Sequence, residues 1–116
     1  MISRALADLR KEGYTAQVVE HRVPVVNILR DLFGGIDIVA IRAGDKVRGI
    51  QVTSGGNHAA RVTKLREEPR LRTWIETGHT SLQVWSYARR GARGKRKAWE
   101  LRVSELIIIN GGIETL

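Results

Sequence analysis

A carboxylate, an amide and a hydroxyl in the middle of the chain could together bind a hard divalent cation. Asp37 opens an apolar segment directly after two glycines, where a carboxylate is costly to bury without a cation or hydrogen-bond donors. Gln51 and Thr53 stand two residues apart in the next apolar segment, so their side chains project from one face of a strand. Because residues 37–53 read as a hairpin, Asp37 is expected to lie opposite them. Such oxygen donors suit Mg²⁺ or Mn²⁺. The alternative is that Asp37 caps a turn while Gln51 and Thr53 face solvent.

A second feature is a basic segment near the C-terminal end, at residues 89–97. Its six cationic residues are Arg89, Arg90, Arg93, Lys95, Arg96 and Lys97. Removing these six charges from the net charge of +8 leaves about +2 for the rest of the chain. Gly91 and Gly94 predict a flexible loop, and such a loop on a nearly neutral body indicates a polyanion partner, above all a nucleic acid. The alternatives are a loop that only aids solubility and, more weakly, contact with a membrane surface.

Composition limits the class of protein. A chain of 116 residues with an ordinary apolar fraction is expected to form a single domain over residues 1–116. The absence of cysteine excludes disulfides and thiolate metal sites, and the three histidines fit no zinc-ligand spacing. No apolar run approaches the ~20 residues of a membrane span, and the N-terminus lacks an apolar signal segment. A cytoplasmic protein is therefore expected.

The elements that must position these residues can be read from periodicity and turn residues. Helices are predicted at 3–12 and 58–68, with another helical turn at 70–77. Strands are predicted at 15–22, 36–42, 47–53, 80–87 and 98–103, with a short strand or edge at 106–109 and a loop at 23–35. The order α-β-β-β-α-β predicts an α/β or α+β fold with a mixed central sheet of four to five strands flanked by helices.

Two segments in the middle of the chain resemble a known enzyme family. Gly35-Ile-Asp37-Ile-Val-Ala-Ile, a turn, and Gly49-Ile-Gln51-Val-Thr53-Ser together look like the core of the PD-(D/E)xK nuclease superfamily. The likeness is greatest to archaeal-type Holliday junction resolvases and small phage-encoded relatives, and the order of elements matches over about residues 3–87. The resemblance implies a restriction-endonuclease-like core. It also makes Asp37 the metal-binding aspartate, puts Gln51 in the place of the second acid and adds the Val52 carbonyl as a ligand.

The chain departs from the family pattern at the triplet that carries an acid and a lysine. Gln51-Val52-Thr53 has neither, and Ile36 replaces the family's proline. Lys64, or less favourably Arg61, on the following helix could supply the missing cation. The remaining acid is best assigned to Glu20, with Asp31 and Asp8 as alternatives. Each also has an ordinary interpretation: Glu20 could pair with Arg22 or Arg30, Asp31 could cap a turn, and Lys64 could be a solvated surface residue.

The resemblance implies a metal-dependent DNA endonuclease that hydrolyses phosphodiester bonds, with Holliday junctions or other branched DNA as candidate substrates. The proposed catalytic residues are Glu20, Asp37, Gln51, Thr53 and Lys64, with Arg61 and the basic segment binding DNA. The alternative is a nucleic-acid-binding protein on the same fold that has lost cleavage, and a third interpretation is a structural or partner-binding protein. The resemblance further suggests a homodimer and a viral source, hence the host cytoplasm. Trp74, Trp85 and residues 107–109 could form the dimer interface or belong to the core.

Overall fold

A computed structural model describes residues 1–91, 94 and 96–116. It contains three α-helices, α1 (Ile2–Lys11), α2 (His58–Arg66) and α3 (Pro69–Glu76), and a 3-10 turn at Gly55–Asn57. The strands are β1 (Thr15–Val18), β2 (His21–Val23), β3 (Ile28–Arg30), β4 (Ile38–Ile41), β5 (Val47–Ser54), β6 (Thr80–Arg90), β7 (Ala98–Ile109) and β8 (Gly112–Thr115).

Six of these strands form one mixed sheet in the order β1-β4-β5-β6-β7-β8. Only β5 and β6 run parallel, because the chain crosses between them through α2 and α3, whereas the other neighbours are antiparallel. The predicted α+β class, with a mixed sheet flanked by helices, is confirmed. The sheet has six strands rather than the predicted four to five, because Gly112–Thr115, where no strand was predicted, forms β8 and pairs with β7 at one edge.

The helices lie on opposite faces of the sheet and bury separate apolar clusters. Ala5 and Leu9 of α1 pack on one face against residues such as Ile38 and Ile50. On the other face, the α2 and α3 side chains Val62, Leu65 and Leu71 pack with Ile36, Leu82, Val84, Leu106 and Ile113. Because β6 lies inside the sheet, its side chains alternate between the two clusters, and six successive residues of this strand are buried.

The predicted strand at 15–22 is wrong in its extent, and so is the predicted loop at 23–35. β1 ends at Val18, and a separate hairpin of β2 and β3 follows, with His21 opposite Arg30 and Val23 opposite Ile28. Pro24 cannot donate a ladder hydrogen bond, but it lies in the connection between the two strands, where no such bond is needed. The predicted strands at 98–103 and 106–109 are the two ends of one strand, β7.

The predicted basic loop at residues 89–97 begins too early in the chain. β6 continues to Arg90 and β7 begins at Ala98, so Arg89 and Arg90 belong to a strand, where they pair with Trp99 and Ala98. Arg89 also lies 5.8 Å from the Trp99 ring centroid, and a cation over an aromatic ring helps to hold such a ladder. Arg93 and Lys95 lie outside the described residues, whereas Arg96 and Lys97 are exposed.

The tryptophans proposed for a dimer interface differ in their positions. Trp85 is buried in the cluster under α1, so the core interpretation holds for it and the interface interpretation is wrong. Trp74 is half-buried on α3 and donates its ring N–H to the Ser81 carbonyl at 2.8 Å. Within the described residues, no helix has both the length and the apolar character needed to cross a membrane.

Candidate metal centre

A tight turn brings two aspartates together ahead of β4. Leu32 and Ile36 exchange two backbone hydrogen bonds of 2.9 Å, so the flanking residues Asp31 and Asp37 become neighbours. Gly35 within the turn has no room for a side chain, because an added Cβ would lie 2.2 Å from a leucine side chain of α2. The glycine therefore allows the turn to pack directly on the helix layer and fixes the place of both carboxylates.

The break between β1 and β2 adds a third carboxylate. The Val19 N–H donates to the Asp37 carbonyl at 2.8 Å, and Glu20 follows directly. One carboxylate oxygen from each of Glu20, Asp31 and Asp37 lies within 4.8 Å of the other two. We call these three residues the acidic cluster. It unites two carboxylates that the sequence offered as alternatives, Glu20 and Asp31. Within the described residues, no ion pair joins Glu20 to Arg22 or Arg30.

Asp37 is the buried member of the acidic cluster, with 4% of its surface exposed. Its Oδ2 accepts hydrogen bonds from Gln51 Nε2 at 2.6 Å and from the Val52 N–H at 2.8 Å. Asp37 therefore lies opposite these residues of β5, where the hairpin interpretation placed it. Gln51 and Thr53 are both buried, so the alternative in which they face solvent is wrong.

Burial raises the pKa of Asp37 to about 8. Loss of water is the largest cause, since it disfavours the charged carboxylate, and the Asp31 carboxyl adds to it. The Val52 N–H acts in the opposite direction, whereas the negative charges of Asp31 and Glu20 raise the pKa further. Without a cation, Asp37 therefore retains a proton near neutral pH.

Gln51 leaves an oxygen atom without a partner at this place. The residue is 4% exposed, its Nε2 is engaged by Asp37, and its Oε1 has no hydrogen-bond partner among the described residues. A buried amide oxygen without a partner carries a desolvation cost of about 1–3 kcal/mol. An electropositive group that binds at the acidic cluster would remove this cost.

The Lys64 side chain on α2 reaches the acidic cluster. Its Nζ lies 3.9 Å from Asp31 Oδ2, and the side chain remains about half exposed. It lines a cavity of about 400 Å³ between the β2–β3 hairpin and the α2–α3 layer, together with the basic side chains of His21, Arg30 and Arg70. We call this cavity the basic groove.

The other predicted site residues occupy different surroundings. Asp8 accepts a hydrogen bond from the Tyr87 hydroxyl at 2.7 Å, on the α1 face, and does not belong to the acidic cluster. Thr53 is buried and pairs with Ser86 of β6, and Arg61 is half-buried on α2, three residues before Lys64. The Val52 N–H donates a hydrogen bond to the Asp37 carboxyl group, whereas a role for the Val52 carbonyl as a metal ligand stays a prediction.

Sequence reasoning did not assign His21, Arg30 or Arg70 to the site. The signal available was position, because His21 follows Glu20 and Arg30 precedes Asp31, so both neighbour carboxylates of the acidic cluster. Arg70 gives no such signal, since α3 brings it to the basic groove through tertiary packing. Arg70 is also paired with Glu68 at 2.8 Å.

No family model, curated protein or solved structure matches this chain. The resemblance to PD-(D/E)xK nucleases therefore stays a prediction.

Proposed function

We propose that this protein is a metal-dependent endonuclease that acts on DNA and uses a PD-(D/E)xK-like site. One observation carries the proposal: three carboxylates converge within 4.8 Å beside a buried amide oxygen that lacks a partner. Three neighbouring carboxylates repel one another unless a cation or protons balance them. The Lys64 ammonium, 3.9 Å from Asp31, supplies one positive charge against three possible negative charges.

The donor set fits Mg²⁺ or Mn²⁺, because every candidate ligand is an oxygen atom. Glu20, Asp31 and Asp37 would hold the ion, with the Gln51 Oε1 and the Val52 carbonyl as further ligands. When bound, such an ion supplies an activated water and stabilises the charge that develops on the scissile phosphate.

The chain's own residues prepare this site for a phosphodiester. Two hydrogen-bond donors, the Gln51 amide and the Val52 N–H, fix the orientation of the Asp37 carboxyl group. Lys64 extends from α2 beside the acidic cluster, so it can hold a phosphate oxygen in place of the lysine that is missing at Thr53. Arg30 and His21 line the same groove and can bind the adjacent phosphates.

The choice of DNA as substrate is supported by the distribution of charge. Most of the net charge of +8 lies in residues 89–97, and further cations line the basic groove. Cationic side chains at two separate places suit an extended polyanion better than a small anionic substrate. Action on branched DNA, and assembly as a homodimer that cuts two strands, are parts of the proposal that rest on the family resemblance.

The proposal is tested by incubating labelled four-way junction and linear duplex with Mg²⁺, with Mn²⁺ and with EDTA. We expect cleavage with either metal, none with EDTA, and none by Asp37→Asn with either metal. Asp45→Asn is the matched control, because Asp45 is an exposed carboxylate that pairs with Arg42 in the turn between β4 and β5. Cleavage by Asp37→Asn at the wild-type rate would refute the site assignment.

A second candidate function is DNA binding without cleavage, and the favouring observation is Thr53. This residue stands where the family has lysine, and its buried hydroxyl carries no charge. If this candidate is right, the wild type binds both DNAs and cuts neither. The double variant Gln51→Glu, Thr53→Lys, which restores the family triplet, would then gain metal-dependent cleavage.

A further inference from the structure

The β2–β3 hairpin is the segment of chain that connects two members of the acidic cluster. Glu20 directly precedes β2, and Asp31 directly follows β3. The base of the hairpin therefore lies at the acidic cluster, and its tip points away from it along the two strands. Any polymer bound at the cluster meets this hairpin.

The far end of the hairpin is apolar and exposed. Val25 is 94% exposed, and Val26 and Ile28 are about half exposed. Single exposed apolar residues are common on protein surfaces, but contiguous ones at a projecting tip indicate a contact with another molecule.

One face of the hairpin is polar and charged near the acidic cluster and apolar near the tip. Directly opposed residues of an antiparallel pair share a face, so His21 and the cationic Arg30 lie on the same face as the apolar pair of Val23 and Ile28. Positive charge is thus nearest the acidic cluster, and apolar surface is farther out. A nucleic acid has the matching order, with phosphates outside and stacked bases inside.

The tip is held in a defined shape before any partner binds. The Arg22 guanidinium donates to Asn27 Oδ1 at 2.7 Å, and the Asn27 N–H donates to the Val23 carbonyl at 2.7 Å. Asn27 adopts a left-handed φ of 54°, which asparagine tolerates better than most residues. The apolar tip residues are therefore presented by an ordered turn.

We propose that the β2–β3 hairpin is a wedge that enters the base stack next to the phosphate bound at the acidic cluster. The inference rests on the proposed function. The three-residue strands, at about 3.3 Å per residue, place the turn ~10 Å from the acidic cluster, so the tip can reach the base stack beside a phosphate bound there. Apolar side chains that enter between base pairs unstack them and kink the duplex.

Nucleic acid is favoured over a membrane or a second copy of the chain by charge and position. The apolar tip residues Val25, Val26 and Ile28 are continuous with a base that carries Arg30 and with the basic groove, which phosphates can occupy. A membrane or a partner protein could also bind the tip, but neither explains why the hairpin begins and ends at carboxylates of the acidic cluster.

The test uses the fluorescence of 2-aminopurine, which rises when the base unstacks. It is placed beside the crossover of a four-way junction and at the centre of a linear duplex, with Ca²⁺ replacing Mg²⁺. We expect a severalfold rise with the wild type and none with the double variant Val25→Ser, Val26→Ser. Binding of DNA by that variant should change by less than about threefold. Val103→Ser, a change of an exposed valine on β7, is the control and should behave as the wild type.

The outcomes separate the wedge from the proposed function. A wild type that binds DNA without any rise, or a tip variant that keeps the full rise, overturns the wedge and leaves the nuclease proposal standing. A wild type that binds neither DNA refutes both. Loss of phosphatidylserine-vesicle binding or of dimers in the tip variant, with unstacking unchanged, would assign the tip to a membrane or to a second copy instead.

Discussion

At the scale of single residues, Asp37 is a carboxyl group that must lose a proton before it can bind a cation. Its pKa is raised to about 8, chiefly by burial. Metal binding at such a group releases the proton, so the affinity depends on pH. The group that makes the site also makes it sensitive to acid.

We predict that the affinity for Mn²⁺ rises with pH from 6 to about 8, by up to about tenfold per unit, and levels off above. Isothermal titration of the metal at several pH values measures this. In Asp37→Asn, which has no proton to lose at this position, binding should be weak and its dependence on pH smaller. A wild-type affinity that is flat over this range would contradict the raised pKa.

Lys64 carries the second prediction at this scale. Lys64→Ala should lower the cleavage rate by about a hundredfold, the usual scale for the loss of one preorganised charge, with DNA affinity changed by less than about threefold. Single-turnover kinetics measure the rate. Adding Thr53→Lys should restore part of it.

The control for this experiment is Lys46→Ala, because Lys46 is exposed in the turn between β4 and β5, away from the acidic cluster. Its rate should equal that of the wild type. If Lys64→Ala also cleaves normally, Lys64 is only a surface partner of Asp31.

At the scale of elements, a buried histidine joins α2 to the sheet. His58 Nδ1 lies 2.6 Å from Ser86 Oγ on β6, and Nε2 lies 2.8 Å from Ser104 Oγ on β7. Burial lowers the pKa of His58, and the charge of Arg102 lowers it further. The neutral ring therefore suits the fold, and protonation opposes it.

We predict that acid weakens this junction. Because the folded protein holds the His58 pKa below its unfolded value of about 6.5, the stabilisation is complete above that pH and is lost as pH falls through the folded value. The midpoint temperature of thermal unfolding should therefore decrease when the pH is lowered from 7 to 5. His58→Gln should be less stable than the wild type at pH 7 but should lose less stability on acidification. His79 is exposed, so His79→Gln should follow the wild type. Equal acid sensitivity of His58→Gln and wild type would exclude this role.

The elements also show what the sequence could and could not predict. The β4–β5 hairpin was predictable because Gly44 marks its turn and β4 is a continuous apolar run, and this hairpin places Asp37 beside Gln51. The β2–β3 hairpin was not, because its strands are three residues long and exposed, so they carry no burial pattern. The acidic cluster depends on that hairpin and on the Leu32–Ile36 pairing, and neither leaves a periodic signal.

At the scale of the whole molecule, the described cations of the basic segment, Arg89, Arg90, Arg96 and Lys97, lie at one end of the long β6–β7 hairpin. Replacing the segment's six Arg and Lys residues by Ser should weaken DNA binding and flatten its salt dependence. If three to five of them contact phosphates, the slope of log K against log salt should fall by about three to four units, at ~0.9 per contact.

Fluorescence anisotropy across a range of salt concentrations measures this slope. The control replaces Lys11 and Lys46, two exposed lysines elsewhere, and should leave the slope nearly unchanged. An unaltered slope in the sixfold variant would show that DNA lies on another surface.

The single parallel pairing in the sheet sets the order in which the chain can fold. β6, β7 and β8 join through short connections, whereas β5 meets β6 only after residues 55–79 have closed a loop through two helices. Since loop closure costs entropy before distant contacts repay it, the antiparallel unit of β6–β8 should form first and the β5–β6 pairing last. Pulse-labelling hydrogen exchange should then protect the amides bonded between β6 and β7 earlier than those bonded between β5 and β6. The part of the molecule that carries the acidic cluster would thus dock at the end of folding, on a template supplied by the β6–β8 unit.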